Sequence, residues 1–287
     1  MRFMLAESMC DVRHFLPLAE RAEQAGFATF ALGDSILYPE RSSAKYPYTS
    51  AGDRSFLDGA PFLDPFQLFA AMSVVTQRIE FLTGVLKLPV RDPVLVAKQV
   101  SSLAVFSSER FVFGVGLSVW PEDFEACGQD WETRGPRMDE AIQIVRGLMS
   151  GEYFEWHGAH YDIPRIKLCP TPAKCPPIVV GGHSAAAYRR AARLADGYYF
   201  VSVAEADLAR AIATMRGLRR EAGREREPFR IYAGMPTPTA GDLRRLADLG
   251  ITDLSVSYRN LYAPDRMTLQ QKLDWLSRFG DEVIAKT

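Results

Sequence analysis

The amino-acid sequence predicts an α/β protein, a single (β/α)8 TIM barrel with insertion loops. Three observations carry that prediction. Short β-branched or aromatic runs alternate with longer stretches of helical period, the pattern of a parallel sheet with crossover helices. Eight such units can be counted, and 287 residues suit a barrel that uses about 250 as one domain, here residues 1–287. An open doubly wound sheet would show a glycine fingerprint after its first strand, where this chain has Ala6-Glu7-Ser8-Met9-Cys10.

The first unit pairs a strand over 2–8 with a helix over 14–25, closed by the left-handed cap signal Ala25-Gly26-Phe27. A second strand, 28–35, runs into a long segment, 36–64, rich in Tyr, Ser, Pro and Gly. Its helix over 65–77 starts at Asp64-Pro65, an N-cap followed by proline in first position. The third strand, 79–88, contains Gly84 and precedes a helix over 93–108. The fourth, 111–118, ends in small residues, and its helix covers 134–150. A proline-rich segment, 151–176, then leads to the fifth strand, 177–182, and a helix over 184–195 capped by Ser184. The sixth and seventh units place strands over 197–202 and 229–235 before helices over 205–222 and 241–249. Leu249-Gly250-Ile251 repeats the left-handed cap ahead of the last strand, 252–258, and the last helix, 269–284.

Long structured loops in compact domains are usually functional. Segment 36–64 follows a strand, so it is expected on the carboxyl-end face as a lid. Its Tyr38, Tyr46, Tyr48, Phe56 and Phe62 suggest an apolar or planar ligand. Segment 151–176 follows a helix and is expected to serve packing or subunit contact. The arginine-rich run 216–230 is interleaved with Glu221, Glu225 and Glu227 and reads as a solvated helix end.

Thirty-four basic and thirty-five acidic residues leave a net charge of −1, so no global field attracts nucleic acid or an anionic membrane. The opening Met1-Arg2-Phe3-Met4-Leu5-Ala6 meets Glu7 too soon for a signal peptide, and no uninterrupted apolar run is long enough to span a membrane. Cys10, Cys127, Cys169 and Cys175 form no C-x-x-C pair, so reduced cytoplasmic thiols are expected. The four histidines, His14, His157, His160 and His183, make no metal-ligand spacing, and no G-x-S-x-G elbow occurs. No metal is expected.

Four runs remain as candidates for chemistry. In Ile178-Val179-Val180-Gly181-Gly182-His183-Ser184 a buried strand meets two glycines and a capped helix, which suits either a phosphate seat or a tight βα turn. Gly33-Asp34-Ser35 puts a carboxylate at the barrel mouth, for a ligand ring, for proton transfer or for capping the turn. Phe81-Leu82-Thr83-Gly84-Val85 is a strand interrupted by glycine, the mark of a bulge or a close approach. Arg110–Trp120 ends a strand in small residues, which make room for a bound group or pack Gly114 tightly.

With these residues in place, the chain resembles the bacterial luciferase-like family of barrel oxidoreductases, above all its deazaflavin-dependent (coenzyme F420) branch. The resemblance runs nearly end to end. Its markers are Ala22-Glu23-Gln24-Ala25-Gly26-Phe27, Gly33-Asp34-Ser35, the segment 110–116 and Glu125-Ala126-Cys127-Gly128. Arg134-Gly135-Pro136-Arg137-Met138-Asp139-Glu140, the segment 177–184 and the segment 189–197 follow in order. The resemblance implies hydride transfer between a reduced deazaflavin, or FMN in the alternative, and a small organic substrate. Asp34 would then lie near the ring with Ser35 beside it. Thr83, Gly84 and Val85 would form the supporting bulge, often through a non-prolyl cis peptide, with Gly116 close by. Gly181, Gly182, His183 and Ser184 would hold the phosphate.

The chain also departs from the family. Ser35 stands where a histidine is common, a glutamate donor is replaced near Val119, and the run 201–205 lacks the lysines of sugar-phosphate dehydrogenases. Asp34 is the first candidate proton donor and Glu7 the second, ahead of His183 and Tyr258. Two further readings stay open: an FMN-dependent luciferase-like monooxygenase fed by a reductase partner, and a non-catalytic flavin- or deazaflavin-binding barrel. Family members are commonly homodimers, so a homodimer is expected.

Overall fold

The structure, a computed structural model, describes residues 1–49, 51–201, 203 and 205–287, the side chain of Glu205 excepted. Strands alternate faces with period two, and that alternation divides the molecule. The parallel strands are β1 (Arg2–Ala6), β2 (Thr29–Leu32), β3 (Glu80–Thr83), its short continuation β4 (Leu86–Lys87) and β5 (Phe111–Gly116). An antiparallel hairpin, β6 (Phe154–His157) and β7 (Asp162–Ile166), intervenes before β8 (Ile178–Gly181), β9 (Gly197–Phe200), β10 (Arg230–Gly234) and β11 (Asp253–Val256). Hydrogen-bonded neighbours run β3-β2-β1-β11-β10-β9-β8-β5, and β3 pairs with β5 through Phe81↔Phe111 and Leu82↔Val112, closing an eight-stranded parallel barrel. The predicted TIM-barrel fold is the fold observed.

The strand predicted over 79–88 is broken in two. Gly84 and Val85 bulge out between β3 and β4, and their peptide bond is cis. The predicted end of the sixth strand, Ser202, lies outside the described residues, as do Ala204 and, within the segment 36–64, Ser50.

Helices α1 (Phe15–Gln24), α2 (Pro65–Val75), α3 (Pro93–Phe106), α4 (Pro121–Ala126), α5 (Arg134–Leu148), α6 (Ala185–Leu194), α7 (Glu205–Glu221), α8 (Ala240–Leu249) and α9 (Leu269–Glu282) follow the strands. The short α4 falls in a stretch for which no helix is predicted. The cap signals act as read: Asp64 accepts from the amides of Phe66 and Gln67 ahead of Pro65, and Gly26 and Gly250 take left-handed φ of 89° and 92°.

Outward-facing strand residues such as Phe30, Phe81, Phe111 and Tyr198 pack in the core beneath the helices. Inward-facing Met4, Ala31, Leu82, Val112, Val179, Tyr199 and Tyr232 fill the lumen. Four charges seal the amino-terminal floor: Arg230 bridges Glu80 (3.0 Å) and Asp253 (2.7 Å), and Arg2 reaches the same two carboxylates. These charge pairs close the amino-terminal end, which leaves the carboxyl-end mouth for chemistry. The segment 151–176 folds as the β6–β7 hairpin against α5. A Cβ at Gly147 would overlap the Phe154 ring, and Glu140 accepts the amides of Ala159, His160 and Tyr161. Among the described residues, no helix is long and apolar enough to cross a membrane.

Candidate functional site

A cavity of about 190 Å³ opens at the carboxyl ends of the strands. Its inner wall is the bulge between β3 and β4. The Gly84 amide donates to Leu32 O (2.6 Å), and a Cβ on Gly84 would face the Tyr199 ring at 3.4 Å. The next side chain, Val85, beds on two glycines. A Cβ added at Gly116 would lie 2.5 Å from Val85 Cγ2, and one at Gly181 would lie 2.9 Å from Cγ1. Thus the small residues ending β5 and β8 receive Val85, where a bound group was expected to take the space. Gly114 is small for another reason: a Cβ there would overlap the Thr83 carbonyl across the β3–β5 seam.

Asp34 follows β2 beside this bulge, and its side chain is only 2% exposed. Both oxygens are engaged: Arg91 donates to them at 2.7 and 2.9 Å, and the Lys87 amide donates to Oδ2 at 2.9 Å. Arg91 also donates to Lys87 O, so the pair clamps β4 to the end of β2. Asp34 lines the cavity, but as an acceptor already satisfied by the protein. Ser35 lines the cavity. Thr83 does not; it is buried, and its hydroxyl donates to Gly114 O at 2.7 Å.

Glu7 corrects the expectation of a donor at the mouth. Alternation turns Ala6 toward the cavity and Glu7 away from it, into full burial. Burial pushes its carboxyl up, but the Arg259 guanidinium, the Tyr258 hydroxyl and the Met9 amide outweigh that and hold it below the usual glutamate range. Tyr258 is the reverse case, raised well above a normal phenol by burial and by the Glu7 charge. Neither group faces the cavity with a proton to give.

The glycine turn after β8 has the features of an anion seat. Gly182 takes a positive φ of 148°, and a Cβ on it would come within 2.9 Å of Ala187 Cβ. Tyr198 fixes the turn by donating to Gly182 O at 2.7 Å. Ser184 caps α6 by accepting from the Ala187 amide, while the first-turn amides of exposed Ala185 and Ala186 have no intrahelical acceptor; none of residues 181–186 lines the cavity itself. Exposed His183 sits at the rim with its ring 5.6 Å from Tyr48.

Aromatic rings from separate loops roof the cavity. Tyr46 stacks on Trp120 at 6.0 Å and Tyr48 on Tyr262 at 5.7 Å, so the segment 36–64 meets the loops after β5 and β11. Arg54 braces the segment by donating to Pro39 O and Glu40 O. Burial pushes the phenols of Tyr48 and Tyr199 up to about 12, which keeps both neutral.

Lys87 in the wall, like Tyr262 in the roof, was not legible as a site residue in the sequence. Lys87 lines the cavity, is 7% exposed, and pairs through Nζ with Asp123 Oδ2 at 2.7 Å. Asp123 is fully buried, accepts also from the Ser118 hydroxyl, and its Oδ1 has no partner among the described residues. The only trace in the sequence is a lysine in an otherwise apolar strand; its partner lies 36 residues away. Among the described residues, no group of three or more His, Cys, Asp or Glu side chains is placed to hold a metal ion.

The chain was compared with known proteins by sequence and by fold. The chain is 48% identical to an uncharacterised protein of Mycobacterium tuberculosis over the full length of both. It is 29% identical to the FMNH2-dependent dimethylsulfone monooxygenase of Pseudomonas fluorescens over 63% of this chain and 46% of that one. The solved coenzyme F420-dependent tetrahydromethanopterin reductase of Methanopyrus kandleri superposes with a TM-score of 0.77 over 99% of each chain, at 13% identity. The family model for luciferase-like monooxygenases matches residues 4–248, from within β1 to within α8, and the chain therefore belongs to the luciferase-like monooxygenase family.

Proposed function

We propose that the barrel mouth binds coenzyme F420 and that the protein transfers a hydride between it and a small organic substrate. One observation carries the reading: Val85, which lines the cavity beside Gly84, beds on Gly116 and on Gly181, the strand end that leads into the Gly182 turn and α6. A flat ring fits above the bulge, and its phosphate tail fits Gly182, His183, Ser184 and the amides of Ala185 and Ala186. When bound, the deazaflavin supplies the redox chemistry.

The chain's own residues orient and enclose. The Asp34–Arg91 clamp holds the bulge in place, Ser35 offers a hydroxyl at the edge, and Tyr46, Tyr48, Trp120 and Tyr262 exclude water. The choice of F420 is supported by the end-to-end match to the F420-dependent reductase. Titration of the purified protein with F420 and with FMN tests it. Micromolar binding of F420 is expected, and binding of FMN alone would overturn the choice.

A second reading, an FMN-dependent monooxygenase fed by a reductase partner, is favoured by the likeness to the dimethylsulfone enzyme. It requires oxygen consumption when reduced FMN and an organic substrate are supplied. In either case we propose a homodimer, since Val74 on α2 and Leu95 and Phe106 on α3 stand 66%, 67% and 61% exposed on neighbouring helices.

A further inference from the structure

We propose that Lys87 is the proton donor of the cavity and that the substrate is a planar carbonyl compound whose oxygen accepts a hydrogen bond from its ammonium group. The inference rests on the hydride-transfer reading given above and deepens it to a substrate class.

Of the ionisable side chains lining the cavity, the carboxylate of Asp34 is consumed by Arg91 and the Lys87 amide. The Ser8 hydroxyl, a weak acid, accepts from the Gly33 amide at 2.6 Å, and burial raises the Tyr46, Tyr48 and Tyr199 phenols above the ordinary phenol range, so none of these gives up a proton readily. Lys87 differs: an ammonium carries three N–H donors, and among the described residues Asp123 is the one acceptor in contact with Nζ. Two donors remain in a residue that is 7% exposed and lines the cavity, so solvent satisfies them poorly.

Charge balance separates a carbonyl from a carboxylate. Lys87 with Asp123 and Arg91 with Asp34 form two neutral pairs, so the site carries no net charge to neutralise a resident anion. A charge that develops only during reaction is a different matter, because a preorganised N–H aimed at it strengthens as it forms. The surrounding rings of Tyr46, Tyr48, Phe62, Trp120 and Tyr262 suit a flat, apolar body. With reduced deazaflavin bound, a hydride delivered to the carbonyl carbon would form the C–H bond and leave the deazaflavin oxidised by two electrons. The C=O π pair moves to oxygen, Nζ gives up one proton to make the O–H bond, and water restores that proton to the amine.

Acetophenone labelled with 13C at its carbonyl serves as the probe, with wild type, Lys87→Arg and Lys87→Met, each measured with and without F420. In wild type the bound carbonyl resonance is expected downfield of its position in buffer, the mark of a charge-assisted hydrogen bond. Lys87→Arg should keep part of that shift. Lys87→Met should lose it and bind acetophenone about tenfold more weakly. Because the methionine leaves Asp123 buried without its partner, the double variant Lys87→Met/Asp123→Asn provides a neutral, foldable version of the same test. An unchanged carbonyl shift in either methionine variant overturns the proposal, as does tighter binding of benzoate than of acetophenone by wild type, or no acetophenone binding by wild type. F420 binding is scored separately by quenching of its fluorescence. Its failure would sink the cofactor reading, while the carbonyl shift without F420 still judges Lys87.

Discussion

At the scale of single residues, two carboxylates read as proton donors are anchors in the folded chain. Asp34 is held by a two-point bond from Arg91, and the two partners differ in what their loss leaves behind. Arg91→Met strands a carboxylate whose side chain is 2% exposed and is expected to cost about 3–5 kcal/mol in urea unfolding. Asp34→Asn keeps an acceptor for the Lys87 amide and leaves an arginine that is 19% exposed, so a smaller loss is expected. Equal losses would mean that the clamp is not the dominant interaction. Glu7 makes a pH prediction. Its folded-state pKa lies below the ordinary 4.5, so its contribution is fully present above that value and is lost as the pH falls through the lower folded value. Glu7→Gln should therefore be less stable than wild type at pH 7 but lose less on acidification below 4.5. Parallel acid-unfolding curves for the two proteins would contradict this assignment. Both roles were hidden from the sequence because the partners are distant: Arg91 lies 57 residues from Asp34, and Arg259 lies 252 from Glu7.

At the scale of elements, the strand–helix order and the caps were legible because each rests on local chemistry, such as Asp64 ahead of Pro65 or Gly250 after α8. The break inside the third strand was half legible. Gly84 marked it, but nothing local told that Val85 would turn inward and require glycines on two other strands. That requirement is testable. Gly116→Ala drives a methyl group against Val85 Cγ2 and should cost about 1–3 kcal/mol of stability while weakening F420 binding. Val85→Ala removes the opposing methyls, so the double variant should recover much of both losses, a coupling read from a double-mutant cycle of unfolding and titration data. Strictly additive losses would show that Gly116 matters for some reason other than the Val85 bed. The β6–β7 hairpin lay in a stretch read only as a proline-rich insertion, since its pairing depends on Gly147 and Glu140 of α5.

At the scale of the whole molecule, barrel closure was legible from the count of units and their length, because a parallel sheet of eight strand–helix repeats has few other ways to bury both faces. What covers the outside of the barrel is a separate question. Val74, Leu95 and Phe106 put large apolar groups into solvent on adjacent helices whose inner faces are already committed to the core. A second copy of the chain would remove that surface from water at about 25 cal/mol per Å². Light scattering should accordingly give twice the chain's 32.0 kDa mass for wild type. Leu95→Glu, at a position already exposed, should leave each barrel folded but shift the mass toward that of one chain, because burying an unpaired carboxylate opposes association. A wild type that scatters as a single chain, or a Leu95→Glu variant that stays dimeric, would remove these helices from the interface. Since F420 binding belongs to the mouth of each barrel, titration of the monomeric variant should retain one site per chain.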